Sequence, residues 1–100
     1  PTLEKEVRII KSRCPEADSR LSEQVARFLA SLRRLGLVKP PGIAETLDFT
    51  RALLTLKQDA LDAGVVSETL GCLLKDRRDL ASVTQKEVAS MVASALEGAS

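Results

Sequence analysis

Two acid pairs, Asp76/Asp79 and Glu45/Asp48, stand at the i, i+3 spacing that puts carboxylates on one helix face. Paired carboxylates do acid–base work only where burial and coupling separate their pKa values. Here they stand among Arg51, Lys75, Arg77 and Arg78, so the expectation is a solvated charged face, not a catalytic pair. The thiols offer no better nucleophile. Cys14, just ahead of Pro15, falls at the negative end of a helix, which opposes thiolate formation. Cys72 falls in an apolar stripe and reads as a small core residue. The chain has no His, which removes His-based acid–base catalysis, His-ligated metal and any Ser-His-Asp or Cys-His constellation. With two Cys and no CxxC there is no zinc set either, so no catalytic or metal-binding residue is assigned.

Anion binding is the chemistry that remains. Neither GxxxxGK[ST] nor GxGxxG occurs, so this chain has no phosphate loop of its own for nucleotide hydrolysis. The loop Lys39-Pro40-Pro41-Gly42 is a different element. It opens a helix, and a helix N-terminus offers unbonded N–H groups and the positive end of the dipole. A preceding Lys strengthens that field, although a Lys before a helix is common and by itself reads as a plain helix start. Arg33-Arg34 and Arg77-Arg78 are the other groups able to touch phosphate. They lack the interleaved aromatics of single-strand binders, and a stiff Pro-Pro loop does not suit a helix-turn-helix reader. Fifteen basic against 14 acidic residues leave a net charge of +1, which does not indicate a nucleic-acid partner.

These residues must be carried by helices. Of the 100 residues, 44% are hydrophobic and 29% charged, the balance of one globular domain. Aromatics are only 2%, and Leu and Ala dominate the apolar set, which disfavours a sheet. Leu3, Val7 and Ile10 mark a first helix over about 2–12, capped by Thr2, with Glu4 and Glu6 suited to its positive end, and stopped by Cys14-Pro15. A second helix starts at Asp18 or Ser19 and carries Leu21, Val25, Phe28, Leu29, Leu32 and Leu35, with Ser22, Glu23, Gln24, Arg27 and Arg34 facing the other way and Gly36 as its stop. A third starts near Ile43 or Ala44, buries Leu47, Phe49, Leu53, Leu54 and Leu56, and ends around 57–59. After a turn at Asp62-Ala63-Gly64, Val65, Val66, Leu70, Leu73 and Leu74 mark a fourth, with Gly71 read as a close helix contact and the charged run 75–79 closing it. Thr84 and Glu87 form a T-x-x-E capping box for a fifth helix to about Leu96, followed by a frayed end over 97–100. The expectation is an all-α, compact bundle of four to five short helices. No apolar run approaches the ~20 residues of a membrane span. The two thiols in a charged helical chain fit a reducing, cytoplasmic setting. The start at Pro1 suggests a piece of a longer protein.

Several strings together resemble a known family. They are Arg13-Cys14-Pro15-Glu16-Ala17-Asp18, Gln24-Val25-Ala26-Arg27-Phe28, KPPGIAETLDF over 39–49, Arg51-Ala52-Leu53-Leu54 and LGCLLKD over 70–76. They resemble the C-terminal helical lid of AAA+ ATPases of the MoxR type, in the branch associated with carbon-monoxide-dehydrogenase accessory ATPases. The resemblance spans about 4–79 and implies a lid domain over 1–80. Residues 81–100 would be a further helix that packs on the bundle or leads to a linker. It implies an upstream P-loop domain, ATP with Mg in the full-length protein but no cofactor on this piece alone, neighbouring subunits of a hexameric assembly, and a protein client under remodelling or a metalloenzyme under maturation. In that family the start of the third lid helix carries a second sensor, often an Arg. The matching stretch is Gly42-Ile43-Ala44-Glu45-Thr46, in which Ala44 stands where the Arg is usual, and the nucleotide contacts implied fall at Lys39, Pro41, Gly42, Ile43, Ala44 and Glu45. The role implied is to position and report the γ-phosphate, not to transfer a proton. The residues also allow a freestanding helical protein-interaction module, and a small DNA-binding bundle. The isolated chain should neither bind ATP tightly nor hydrolyse it. Hydrolysis above the blank by the contaminant-free chain would overturn that expectation.

Overall fold

The computed structural model describes residues 2–99. Six helices run in order: α1 Leu3–Arg13, α2 Ser19–Arg33, α3 Ile43–Thr55, α4 Ala63–Thr69, α5 Arg77–Ser82 and α6 Gln85–Gly98, with a 3₁₀ turn at Leu70–Cys72. The fold is all-α, and no strand occurs among the described residues.

Most helix starts follow from their caps. Thr2 Oγ1 accepts from Lys5 N–H, Asp18 Oδ1 from Leu21 N–H, Asp62 Oδ2 from Val65 N–H, and Thr84 Oγ1 from Glu87 N–H. The T-x-x-E box at α6 closes as expected, with Glu87 accepting from Thr84 N–H at 2.9 Å. The ends differ more from expectation. α1 stops one residue before Cys14 and Pro15, while α2 stops at Arg33 with Gly36 in the left-handed region at φ 70°. α3 stops at Thr55, earlier than expected, because Lys57 takes φ 58°. Gln58 N–H then donates to Leu53 O and Lys57 N–H to Leu54 O, the paired bonds of a Schellman closure with Lys where Gly is usual.

The expected fourth helix is really two elements and a turn. Gly64 lies inside the first turn of α4, not in a break before it. The stripe continues through the 3₁₀ turn, which delivers Leu70, Leu73 and Leu74 to the core. Gly71 makes no close helix contact: a Cβ there would meet no atom within 4 Å. The charged run does not merely close a segment. Asp76 accepts from Arg78 N–H and so starts α5, which the apolar pattern did not mark. α6 reaches Gly98, so Glu97 and Gly98 are helical where fraying was expected, and Ser100 lies outside the described residues.

α2 is the central helix. α1 and α6 pack along it, α3 meets it through Phe28 and Phe49, and α4 leans on α6 and α3. The two Phe rings are fully buried, with centroids 6.0 Å apart and planes 22° from parallel. Ile10, Leu21, Val25, Leu29, Leu32, Leu53, Val66, Leu73, Val88 and Val92 complete the core around them. A central helix has two covered flanks, so the polar residues expected on its outer face are partly inside. Ser22 and Gln24 are fully buried, and Gln24 Oε1 accepts from Leu61 N–H at 2.9 Å, tying α2 to the start of α4. Two expected core residues lie outside instead: Leu35 follows the end of α2, and Leu56 caps α3.

One ion pair crosses this core. Arg33 donates to both carboxylate oxygens of Glu6, at 3.0 and 2.8 Å, and Glu6 is only 5% exposed. Glu6 thus stands in the first turn of α1, as expected, and also ties that helix to α2. Removing one partner of such a pair leaves a buried charge unpaired. Arg33→Ala should cost about 3 kcal/mol, lowering the thermal midpoint of a domain this size by more than about 10 °C. The double change Glu6→Leu with Arg33→Met should cost less than Arg33→Ala alone, and calorimetry of the three variants checks the order.

Candidate functional site

The loop 34–42 runs over the surface from the end of α2 into the first turn of α3. Its backbone is tied from two sides. Arg33 Nε donates to Pro41 O at 3.1 Å, and the same guanidinium reaches Thr46 Oγ1 at 3.4 Å and Glu6. Thr46 Oγ1 in turn donates to Gly42 O at 2.9 Å. From the other side, Asp79 of α5 accepts from Val38 N–H at 2.7 Å and Lys39 N–H at 2.8 Å. Between these ties stand Pro40 and Pro41, whose rings fix φ.

This geometry corrects several sequence expectations. Asp79 is no part of a solvated acid pair with Asp76: it is 2% exposed and gives both oxygens to the loop. Asp76 caps α5 and pairs with Arg78 at 2.9 Å. The hydrogen bonds from Arg78, side chain first and backbone next, hold the Asp76 carboxyl at about 2. Arg33 is spent inside the fold and not offered to phosphate, while Arg34 Nε donates to Ala30 O. Asp48 and Glu45 do not form a catalytic pair either, since Asp48 faces Arg51 at 3.7 Å and Glu45 turns back to the helix start.

The six residues assigned from sequence fall together there: Lys39, Gly42, Ile43 and Ala44 are exposed, Glu45 is half-buried and Pro41 is buried. Glu45 Oε1 accepts from Gly42 N–H at 2.9 Å. That bond is the main reason its carboxyl titrates below the ordinary value of 4.5, opposed by some burial and helped by its own amide and by the charges of Lys39 and Lys75. The charge of Lys75, a residue that the sequence places in a charged run and assigns no role at this loop, thus bears on the same carboxylate. The signal that pointed to it was its place in the LGCLLKD string, 36 residues from Lys39. The Ile43 and Ala44 N–H groups have no hydrogen-bond partner among the described residues. The first turn of α3 therefore presents two unbonded amides beside the Glu45 carboxylate, on which the charges of Lys39 and Lys75 bear.

A shallow cleft of about 270 Å³ adjoins this point, lined by Glu6, Ile9, Arg33, Pro41, Gly42 and Ile43. Its apolar wall comes from Ile9 of α1 and Ile43 of α3. Among the described residues no cluster of His, Cys, Asp and Glu could hold a metal, and no helix is long and apolar enough to cross a membrane. Cys14 is buried and Cys72 half-buried, and neither forms a disulfide. Compared with known proteins, the chain matches no family model, no curated protein and no solved structure.

Glu45 gives this site a measurable signature. A carboxyl with a lowered pKa contributes its cap above the unfolded value and loses it as pH falls through the lowered one. Carboxyl-carbon NMR should place the Glu45 midpoint below 4.5, and Lys39→Ala or Lys75→Ala should move it upward. A midpoint at or above 4.5 in the unaltered chain would contradict the Gly42–Glu45 bond.

Proposed function

We propose that the chain is the C-terminal helical lid of a MoxR-type AAA+ ATPase, in the carbon-monoxide-dehydrogenase accessory-like branch. In this reading the start of α3 closes over ATP bound with Mg in an upstream P-loop domain. The observation that carries it is the fixed loop and open first turn at 39–45, where the most specific string of the resemblance lies. Two unbonded amides and the ammonium groups of Lys39 and Lys75 are the donor set that suits a triphosphate. Ala44 brings no cation to the usual sensor position, and the two lysines stand in for one. Glu45 keeps the negative field local to Gly42, so the chain's part is to orient and sense phosphate. The hydrolytic chemistry belongs to the P-loop domain. Lid motion would pass the state of the γ-phosphate to neighbouring subunits and to a protein client, for remodelling or metalloenzyme maturation in the cytoplasm.

A second reading, a freestanding helical interaction module, is favoured by a different surface. The outer face of α1 presents Lys5, Arg8 and Arg13, none in an ion pair among the described residues, next to Ile9 and its cleft. Mass and sequence analysis of the native gene product separates the two. The lid reading expects a chain extending well upstream of Pro1 that contains GxxxxGK[ST] and hydrolyses ATP with Mg. A product starting at or near Pro1 overturns it and leaves the interaction module, whose partner a pull-down should then recover.

A further inference from the structure

The loop residue Lys39 is exposed, yet its backbone is more tightly held than exposure requires. Its N–H is bonded at 2.8 Å to a carboxylate that is itself almost fully buried. The next two residues are prolines, and Pro41 O is bonded at 3.1 Å to Arg33. The Lys39 Cα is therefore fixed on both sides while its ammonium has no ion-pair partner among the described residues. A solvated loop lysine needs neither restraint. Burying a carboxylate is unfavourable unless its oxygens are fully bonded, and Asp79 achieves that only through the two loop amides.

Resting on the lid reading above, we infer that Asp79 is a positioning residue of the nucleotide site: it holds the Val38–Lys39 backbone so that the Lys39 ammonium stays at the start of α3 to meet the phosphates. Asp79 touches no nucleotide in this arrangement and acts through Lys39. It also makes α5 part of the site, since Asp79 stands in the middle of that helix. Displacing α5 would release Lys39 even with α3 unmoved. The neutral Asn, with one acceptor oxygen and an NH₂ facing the second amide, cannot replace both bonds.

The test is a double-mutant cycle in the full-length ATPase, reading the Kd for the non-hydrolysable analogue AMP-PNP with Mg by calorimetry. Asp79→Asn and Lys39→Ala should each weaken binding by roughly tenfold, the scale of one hydrogen bond to a charged group. The double variant should be no weaker than the weaker single one, because both changes remove the same contact. Leu80→Ala, on the same helix and 44% exposed, should bind as the unaltered protein does. Unchanged affinity in Asp79→Asn, or losses that multiply in the double variant, would overturn the inference. A full-length protein that binds no AMP-PNP at all would overturn the lid reading and this inference with it. Should Asp79→Asn fail to fold, amide exchange of Val38 and Lys39 in the unaltered protein decides. Slowing of both amides on AMP-PNP binding supports the positioning role, and unchanged exchange overturns it.

Discussion

One guanidinium holds four parts of this bundle in register. Arg33 ends α2, yet its guanidinium N–H groups reach Glu6 on α1, Pro41 in the following loop and Thr46 on α3. A Lys could not do this, because the planar fork bonds several acceptors at fixed angles and an ammonium does not. The apolar core alone is non-directional and would tolerate small rotations of α1 and α3 about α2. The Arg33 bonds remove that freedom where the loop meets α3. The helices therefore form a scaffold whose most sharply defined place is also its most chemically open one.

Much of the fold could be read from the sequence because its signals are local. Caps at Thr2, Asp18 and Thr84, the stop at Pro15 and the left-handed Gly36 each act within a few residues. The amphipathic stripe of α2 marks the right inward residues from Leu21 to Leu32, and fails only at Leu35, beyond the helix end. It is right only in part about the outer face, where Glu23, Arg27 and Arg34 reach solvent, because a period of 3.6 identifies one buried side and cannot show that a helix is covered on two. Ser22 and Gln24 are the residues this misplaced. α5 was missed because six residues bury almost no apolar stripe. Its only sequence signs are Asp76 as cap and a charged run that looks like surface.

The site was legible in the same partial way. Lys39, Gly42 and Glu45 lie within seven residues of one another, so a Pro-Pro-Gly loop and a helix start group them in the sequence as the start of α3 does in space. What fixes them comes in part from far along the chain: Asp79 on α5, and Glu6 on α1 acting through the nearby Arg33. Charged residues at such separations look alike in a sequence, since burial is what distinguishes a structural carboxylate from a solvated one. Lys75 is the instructive case. Its charge bears on Glu45 only because the 3₁₀ turn after α4 brings the chain back beside α3.

The distance along the chain between the loop and its buried carboxylate also orders events during folding. Val38 and Asp79 are 41 residues apart, and closing a loop of that length costs conformational entropy before any bond repays it. Helices α1 and α2 and the Phe28–Phe49 contact need far shorter closures. The scaffold can thus assemble around α2 while the start of α3 remains unfixed. On the ribosome, that start acquires its final shape only after α5 has emerged, with α6, which packs along α2, still to follow. The start of α3 and the α2–α6 packing are therefore both completed late in synthesis, by the last third of the chain.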